Sequence, residues 1–197
     1  MNVLFVCTGN TCRSPMAEAM LKNRAETDIQ VKSCGISAMP GAQMSSQTKE
    51  VLRQQGIDMP HEATPINDSL VQWADWILTM TASHKETLWF RYPENRKKLY
   101  TLKEFALHAD KQIWNQLEKA YADLEEKKRR YSEQSDSEMD AAGQSVYEVC
   151  REEMETIHHL KRQLTHSDIA DPIGGLALDY LRTEQEIEAC LNQWLSP

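Results

Sequence analysis

The sequence predicts an α/β fold with a small parallel sheet, and three observations carry that prediction. Four β-prone runs, residues 2–6, 29–33, 76–80 and 98–102, are separated by segments with helical apolar spacing. Strands that alternate with helices need crossover connections, which make the sheet parallel. The first run leads straight into a loop of Gly, Asn, Ser and Pro that opens a helix, an order that builds anion sites at strand ends. The third observation is a break in pattern. From about 106 to 167 the chain is charged, poor in Gly and Pro, and heptad-like, so an antiparallel helical hairpin is expected as an insertion.

Taken in order, Val3-Leu4-Phe5-Val6 is the first strand and residues 14–26 the first helix, with Pro15 suited to its opening turn. Residues 29–33 alternate as a second strand that runs out at Cys34-Gly35-Ile36-Ser37, and Met39-Pro40-Gly41 is a turn. Residues 45–55 read as a helix stopped by Gly56, and 60–66 as an irregular or short extended segment. A short helix over 68–73, a buried strand over 76–80, a helix over 82–90 and a strand over 98–102 complete the sheet layer.

In the insertion, Ile113, Leu117, Ala120 and Leu124 form one stripe, and Cys150, Met154, Ile157 and Leu164 a second. These give helices of roughly 110–130 and 142–164, joined through polar residues 131–145. A last amphipathic helix, about 177–195, is expected to bury Leu178, Leu181, Ile187, Leu191 and Trp194. Residues 1–197 are thus read as one domain, with the hairpin of 106–167 inserted in it.

A chain of 197 residues is long enough for a well-buried domain. Its 22 basic and 30 acidic residues leave a net charge of −8, which argues against nucleic acid as a partner. No apolar run approaches the length of a signal segment or membrane span, so no membrane partner is expected. Five cysteines without framework spacing read as thiols of a cytoplasmic protein. There is no metal-ligand or cofactor motif, and the adjacent His158 and His159 read as a solvated helix face.

The chemistry is concentrated in Cys7-Thr8-Gly9-Asn10-Thr11-Cys12-Arg13-Ser14-Pro15. Gly9 and Asn10 tolerate the positive φ that a loop wrapped around an anion requires. Five residues separate Cys7 from Arg13. If the loop encloses a phosphoryl group, the sulfur lies beneath phosphorus and the guanidinium closes the ring as a fork on two oxygens. The convergent N–H groups, the helix end and Arg13 all favour the thiolate, and Ser14 can donate to the same sulfur. In-line attack would give a phosphocysteine, which water then hydrolyses. A phosphate ester or phosphoramidate also needs its leaving group protonated. Asp171-Pro172, followed by Ile173 and Gly174-Gly175, is by itself ordinary turn chemistry stiffened by proline; its carboxyl and that of the competing Asp168 are the candidate acids.

Residues 3–20 resemble the low-molecular-weight protein phosphatases, whose pattern V-C-x-G-N-x-C-R-S-P-x-A-E is present at every fixed position. The resemblance implies a small doubly wound four-stranded parallel sheet with helices on both faces. It also implies Cys7 as nucleophile, Arg13 as transition-state clamp, Asp171 as general acid, and Thr8, Gly9, Asn10, Thr11, Cys12 and Ser14 as the phosphate loop. His61 matches a family histidine that supports the loop through Asn10 and Ser33. Cys12 is the residue expected to form a reversible disulfide with Cys7 under oxidation. The hairpin has no counterpart in the family pattern, and is expected to stand beside the active-site mouth, where it selects protein substrates or self-associates.

Substrate choice is expected to rest on Thr11 and Ile173. Family members acting on phosphotyrosine typically have an apolar residue where Thr11 stands and an aromatic after Asp-Pro. With threonine, the tract is most similar to the bacterial protein-arginine phosphatases, in which the matching threonine selects phosphoarginine, although that subgroup typically has Phe at the position of Ile173. Phosphorylated proteins are the expected substrates, with phosphoarginine favoured over phosphotyrosine. Arsenate reduction, which would need a cysteine relay, and a catalytically silent phosphoprotein-binding module are the remaining alternatives.

Overall fold

The computed structural model describes residues 1–24, 28–108, 110–134, 145–164 and 167–196. The chain divides into two compact units, Met1–Ala109 with Ser167–Pro197, and Asp110–His166. The larger holds a four-stranded sheet of β1 (Asn2–Cys7), β2 (Gln30–Gly35), β3 (Trp76–Thr79) and β4 (Leu99–Thr101), in the order β2-β1-β3-β4. All three pairings are parallel, with Phe5 opposite Ser33 on one side and Leu78 on the other.

In β1, Val3, Leu4, Phe5 and Val6 are each 0% exposed, so both faces of the central strand are covered. That explains an unbroken apolar run rather than an alternating one. On one face β1 and β3 pack with α1 (Arg13–Arg24), α2 (Ser46–Gln54), α5 (Leu102–Leu107) and α9 (Ala177–Leu195), around Phe5, Met16, Met20, Leu52, Leu78, Leu102, Ile187 and Leu191. The remaining helices of this unit are α3 (Asp68–Trp73), next to β1, and α4 (Ala82–Arg91), next to β3 and β4. The strand order reverses at β1, so the crevice beyond the carboxyl ends of β1 and β3 is the place for a ligand.

Most elements lie where the pattern put them, with three differences in this unit. The last strand ends at Thr101, because Thr101 and Glu104 form a capping box that starts α5 at Leu102. A 3-10 helix over Pro93–Lys98, with Pro at its start, precedes β4. In α9, Ile187 and Leu191 are buried, but Leu178 is 65% exposed. It sits in the first turn, where the helix has not yet reached the core; Tyr180, 3% exposed, is the first residue that does.

The second unit contains α6 (Lys111–Gln134), α7 (Val146–Val149) and α8 (Arg151–Gln163). α6 and α8 form the hairpin, pinned by Lys127 donating to Glu153 at 2.8 Å. Leu117, Ala120 and Leu124 are buried as the stripe requires, but Trp114 replaces Ile113 as its first member. In the other helix Ile157 and Leu160 are buried, whereas Met154 is 38% exposed and Leu164 lies past the end of α8. The expected second helix is broken at Cys150, after a short α7 capped by Ser145 and Glu148. Residues 131–134, expected in the connection, continue α6; 135–144, like residues 25 and 26 of the expected first helix, lie outside the described residues.

Candidate active site

β1 delivers Cys7 to the carboxyl edge of the sheet, and residues 8–12 turn from there into α1. The turn depends on Asn10, whose φ is 55°; Gly9 does not have a positive φ. A short polar side chain tolerates that region where most residues do not. The Asn10 side chain then holds the loop from inside. Its Nδ2 donates to Ser14 Oγ at 2.9 Å and Ser33 Oγ at 2.8 Å, and its Oδ1 accepts from Thr64 N at 2.8 Å.

The loop carbonyls bond outward. Cys7 O accepts from Ile36 N, Thr8 O from Ser37 N, and Thr11 O from Ser45 N, each at 2.9 Å. The Asn10 carbonyl accepts from His61 Nε2 at 2.8 Å, which fixes a proton on that ring nitrogen. A loop whose carbonyls are taken up from outside presents its N–H groups to its centre, the arrangement that binds an anion. Gly35 is what lets the loop pass so close to β2. A methyl group there would lie 2.5 Å from Thr8 O and 2.9 Å from Asn10 N.

At the centre, Cys7 Sγ accepts from Asn10 N at 3.2 Å and lies 3.0 Å from Ser14 Oγ. Ser14 also reaches Cys34 O at 3.2 Å, so its single proton is shared between the sulfur and that carbonyl. Behind Ser33 stands Glu18, only 8% exposed, which accepts from Ser33 Oγ at 2.6 Å and lies 4.0 Å from His61 Nδ1. Ser33 and His61 therefore meet the loop from two sides, and only Ser33 donates to that carboxylate. Cys12 lies near Ser45 Oγ, at 3.5 Å, and Tyr180 Oη, at 4.0 Å; all five cysteines are free thiols.

Arg13 is 5% exposed and is held by the acid loop. Its Nη2 donates to Asp171 Oδ2 at 2.7 Å and its Nη1 to the Ile169 carbonyl at 3.3 Å. Asp171 is nearly half exposed and, through its other oxygen, accepts from Ile173 N, the turn expected of an Asp-Pro loop. Asp168 is used differently: its Oδ1 accepts from Ala82 N at 2.7 Å, the first N–H of α4, while Thr81 caps that helix through its bond from His84 N. Ile173 is 67% exposed and Thr11 partly so, which leaves both able to meet a bound side chain.

Two participants were not singled out in the sequence. Glu18 is the last fixed position of the pattern that starts at Val6, but the pattern gives it no role. His84 is in the first turn of α4, with Nε2 2.8 Å from Thr8 Oγ1. Burial pushes its pKa down to about 4, the Arg13 cation adding to the effect and Asp171 opposing it. Its position after a strand of a parallel sheet is the signal that could have found it.

A family model described as low molecular weight phosphotyrosine protein phosphatase matches residues 2–136. A protein-arginine-phosphatase of Geobacillus stearothermophilus is 42% identical over 111 residues, covering 56% of this chain and 75% of that protein. The low molecular weight protein-tyrosine-phosphatase PtpB of Staphylococcus haemolyticus is 37% identical over 105 residues, covering 53% and 74%. Among solved structures, the YwlE arginine phosphatase from Geobacillus stearothermophilus superposes with a TM-score of 0.66 at 30% identity, over 98% of this chain and 88% of that one.

Proposed function

The chain belongs to the low molecular weight phosphotyrosine protein phosphatase family, and on that premise we propose that it dephosphorylates protein side chains through Cys7, with phosphoarginine as the favoured substrate. The observation that supports the reaction is the arrangement around one sulfur. Cys7 Sγ sits in a loop whose carbonyls bond outward, with the Arg13 guanidinium tied directly to Asp171.

Cys7 thiolate attacks phosphorus in line, an S–P bond forms, and the P–N bond to the arginine side chain breaks. Asp171 gives its proton to the departing nitrogen. Water then attacks the phosphocysteine, Asp171 takes a proton from it, and inorganic phosphate leaves with the thiolate restored. Arg13 holds the equatorial oxygens throughout, and loop N–H groups face the charge that develops on them. Arg13 also bonds Asp171. An entering phosphoryl group competes for those donors and frees the carboxyl to turn toward the leaving group.

The arginine-phosphatase relatives and the threonine at position 11 support phosphoarginine over phosphotyrosine. A branched, hydroxyl-bearing side chain at the mouth narrows the pocket against a flat ring and offers a polar contact to a guanidine. Wild-type protein is expected to release phosphate faster from a phosphoarginine peptide than from its phosphotyrosine counterpart. Thr11→Ile is expected to move the ratio of the two kcat/KM values toward phosphotyrosine by about tenfold or more. A wild type that prefers phosphotyrosine, with Thr11→Ile leaving the ratio unchanged, would sink the phosphoarginine assignment. A cytoplasmic site of action, a reversible Cys7–Cys12 disulfide and the contact role of the hairpin belong to the same proposal. Tyr147, 63% exposed, with Val146 and Met154 gives the hairpin apolar surface for a partner or for a second copy. Replacing residues 110–164 by a short linker is expected to slow release from a folded phosphoprotein at least threefold, or to change the oligomeric state in sedimentation, while release from a short peptide is kept. If neither changes, the hairpin has no contact role.

A further inference from the structure

The segment that follows β3 is fastened on both sides. Toward the phosphate loop, Met80 N donates to Val6 O at 2.9 Å and His84 Nε2 meets Thr8 Oγ1 at 2.8 Å. Toward the acid loop, Met80 O accepts from Ile169 N at 2.8 Å and Ala82 N donates to Asp168 Oδ1 at 2.7 Å. Residues 80–84 thus touch both the stretch that carries Cys7 and the stretch that carries Asp171, which come from opposite ends of the sequence. His84 is the only side chain of this segment bonded to the phosphate loop among the described residues.

His84 is an unusual choice for a mere spacer. It is 8% exposed, and its Nδ1 is buried with no hydrogen-bond partner among the described residues. A buried, unpartnered nitrogen is unfavourable, and an apolar residue could fill the same volume without it. What an apolar residue could not do is hold the Thr8 hydroxyl. Nor could a lysine or arginine do so without setting a second cation beside Arg13. An imidazole that stays neutral through the physiological range meets both conditions.

We propose that His84 is a positioning residue for the phosphatase reaction: by its bond to the Thr8 hydroxyl it fixes the first turn of the phosphate loop to the segment that anchors the acid loop, and so sets the spacing between Cys7 and Asp171. It touches neither phosphorus nor the leaving group. Its effect therefore falls on the rate of the chemical steps, where small misplacements are costly, and not on capture of phosphate by Arg13 and the loop N–H groups. The inference rests on the reaction proposed above.

The test is a double-mutant cycle on the full-length protein, read as kcat and KM for a phosphoarginine peptide and an aryl phosphate, with Cys7→Ser as the blank. His84→Leu and Thr8→Val are each expected to lower kcat about tenfold or more, with KM within threefold of wild type. The double variant should lose no more than the worse single one, because both remove the same bond. His84→Gln, whose amide can reach the Thr8 hydroxyl, should recover kcat to within about threefold of wild type. Thr8→Val changes an exposed residue and keeps the fold testable if His84→Leu does not fold. Losses that add in the double variant, or a Thr8→Val protein with wild-type kcat, overturn the role of His84 and leave the phosphatase assignment standing. A wild type with no Cys7-dependent turnover overturns both.

Discussion

Cys7→Ser is expected to lower phosphate release from every substrate by about 10⁴-fold or more, to the level of the blank reaction. The substitution changes one atom in a site 3% exposed, so packing and the loop hydrogen bonds should survive. What is lost is the nucleophile. A serine hydroxyl would need a base to activate it, and the contacts to the sulfur are a backbone N–H and the Ser14 hydroxyl, neither of them basic. Both groups can donate to a sulfur, but neither can take the proton from a serine hydroxyl. Phosphate binding, measured by protection against thermal unfolding, should remain within a few-fold of wild type, because Arg13 and the loop N–H groups are unchanged. A Cys7→Ser protein that still turned over would mean that phosphorus is attacked from somewhere else.

The second large effect is expected at Asp171. Asp171→Asn should reduce kcat by about 10²–10⁴ for a phosphorylated peptide, the range for removing one general acid. The amide oxygen can still accept from Arg13, so the loop should stay docked and KM should change little. The loss should also depend on the substrate. Where the leaving group is a good one, such as p-nitrophenolate, proton donation matters less and formation of the phosphocysteine should be only mildly slowed. Pre-steady-state release of p-nitrophenolate followed by slow turnover would show it, since the second step still needs a base for water. Equal losses for good and poor leaving groups would take the acid role away from Asp171. Asp168→Asn is the informative comparison: its carboxylate takes up the first N–H of α4, so the expected effect is on stability, about 1 kcal/mol or less because the amide still accepts a hydrogen bond.

The phosphate loop was legible because all its determinants are local. A buried strand, an Asn that takes the positive φ, a Pro in the first helical turn and the Cys-to-Arg spacing lie within fifteen residues of sequence. The parallel sheet was legible for a similar reason, since alternation of strand and helix leaves few other topologies. Asp171 was visible only through the family resemblance, because an Asp-Pro-x-Gly-Gly turn has no chemistry until folding sets it against Arg13. His84 was not visible, and Glu18 was visible only as a position of the pattern, without a role. Each acts through a partner far away in sequence, Thr8 for one and Ser33 for the other, which no local spacing reveals. The helical stripes failed in a different way. A period fixes which residues share a face but not where along the helix that face meets a neighbour, so Leu178 and Met154 lie at the margin of their stripes and are exposed. The heptad frame in α6 likewise starts at Trp114 because the larger side chain takes the buried place.

Ile36, Ser37, Ser45, His61 and Thr64, which take up the phosphate loop's carbonyls and hold Asn10, all precede the inserted unit, as do Arg13, Met80 and Ala82, which hold the acid loop, whereas Asp171 itself follows it. A ribosome makes them in that order. The nascent chain therefore has every part of an anion cradle, sulfur included, while the hairpin and the acid loop are still to be translated. The last segments to emerge are the acid loop and α9, whose Ile187 and Leu191 complete the core against α1, so the cradle's residues wait for the helix that packs behind them.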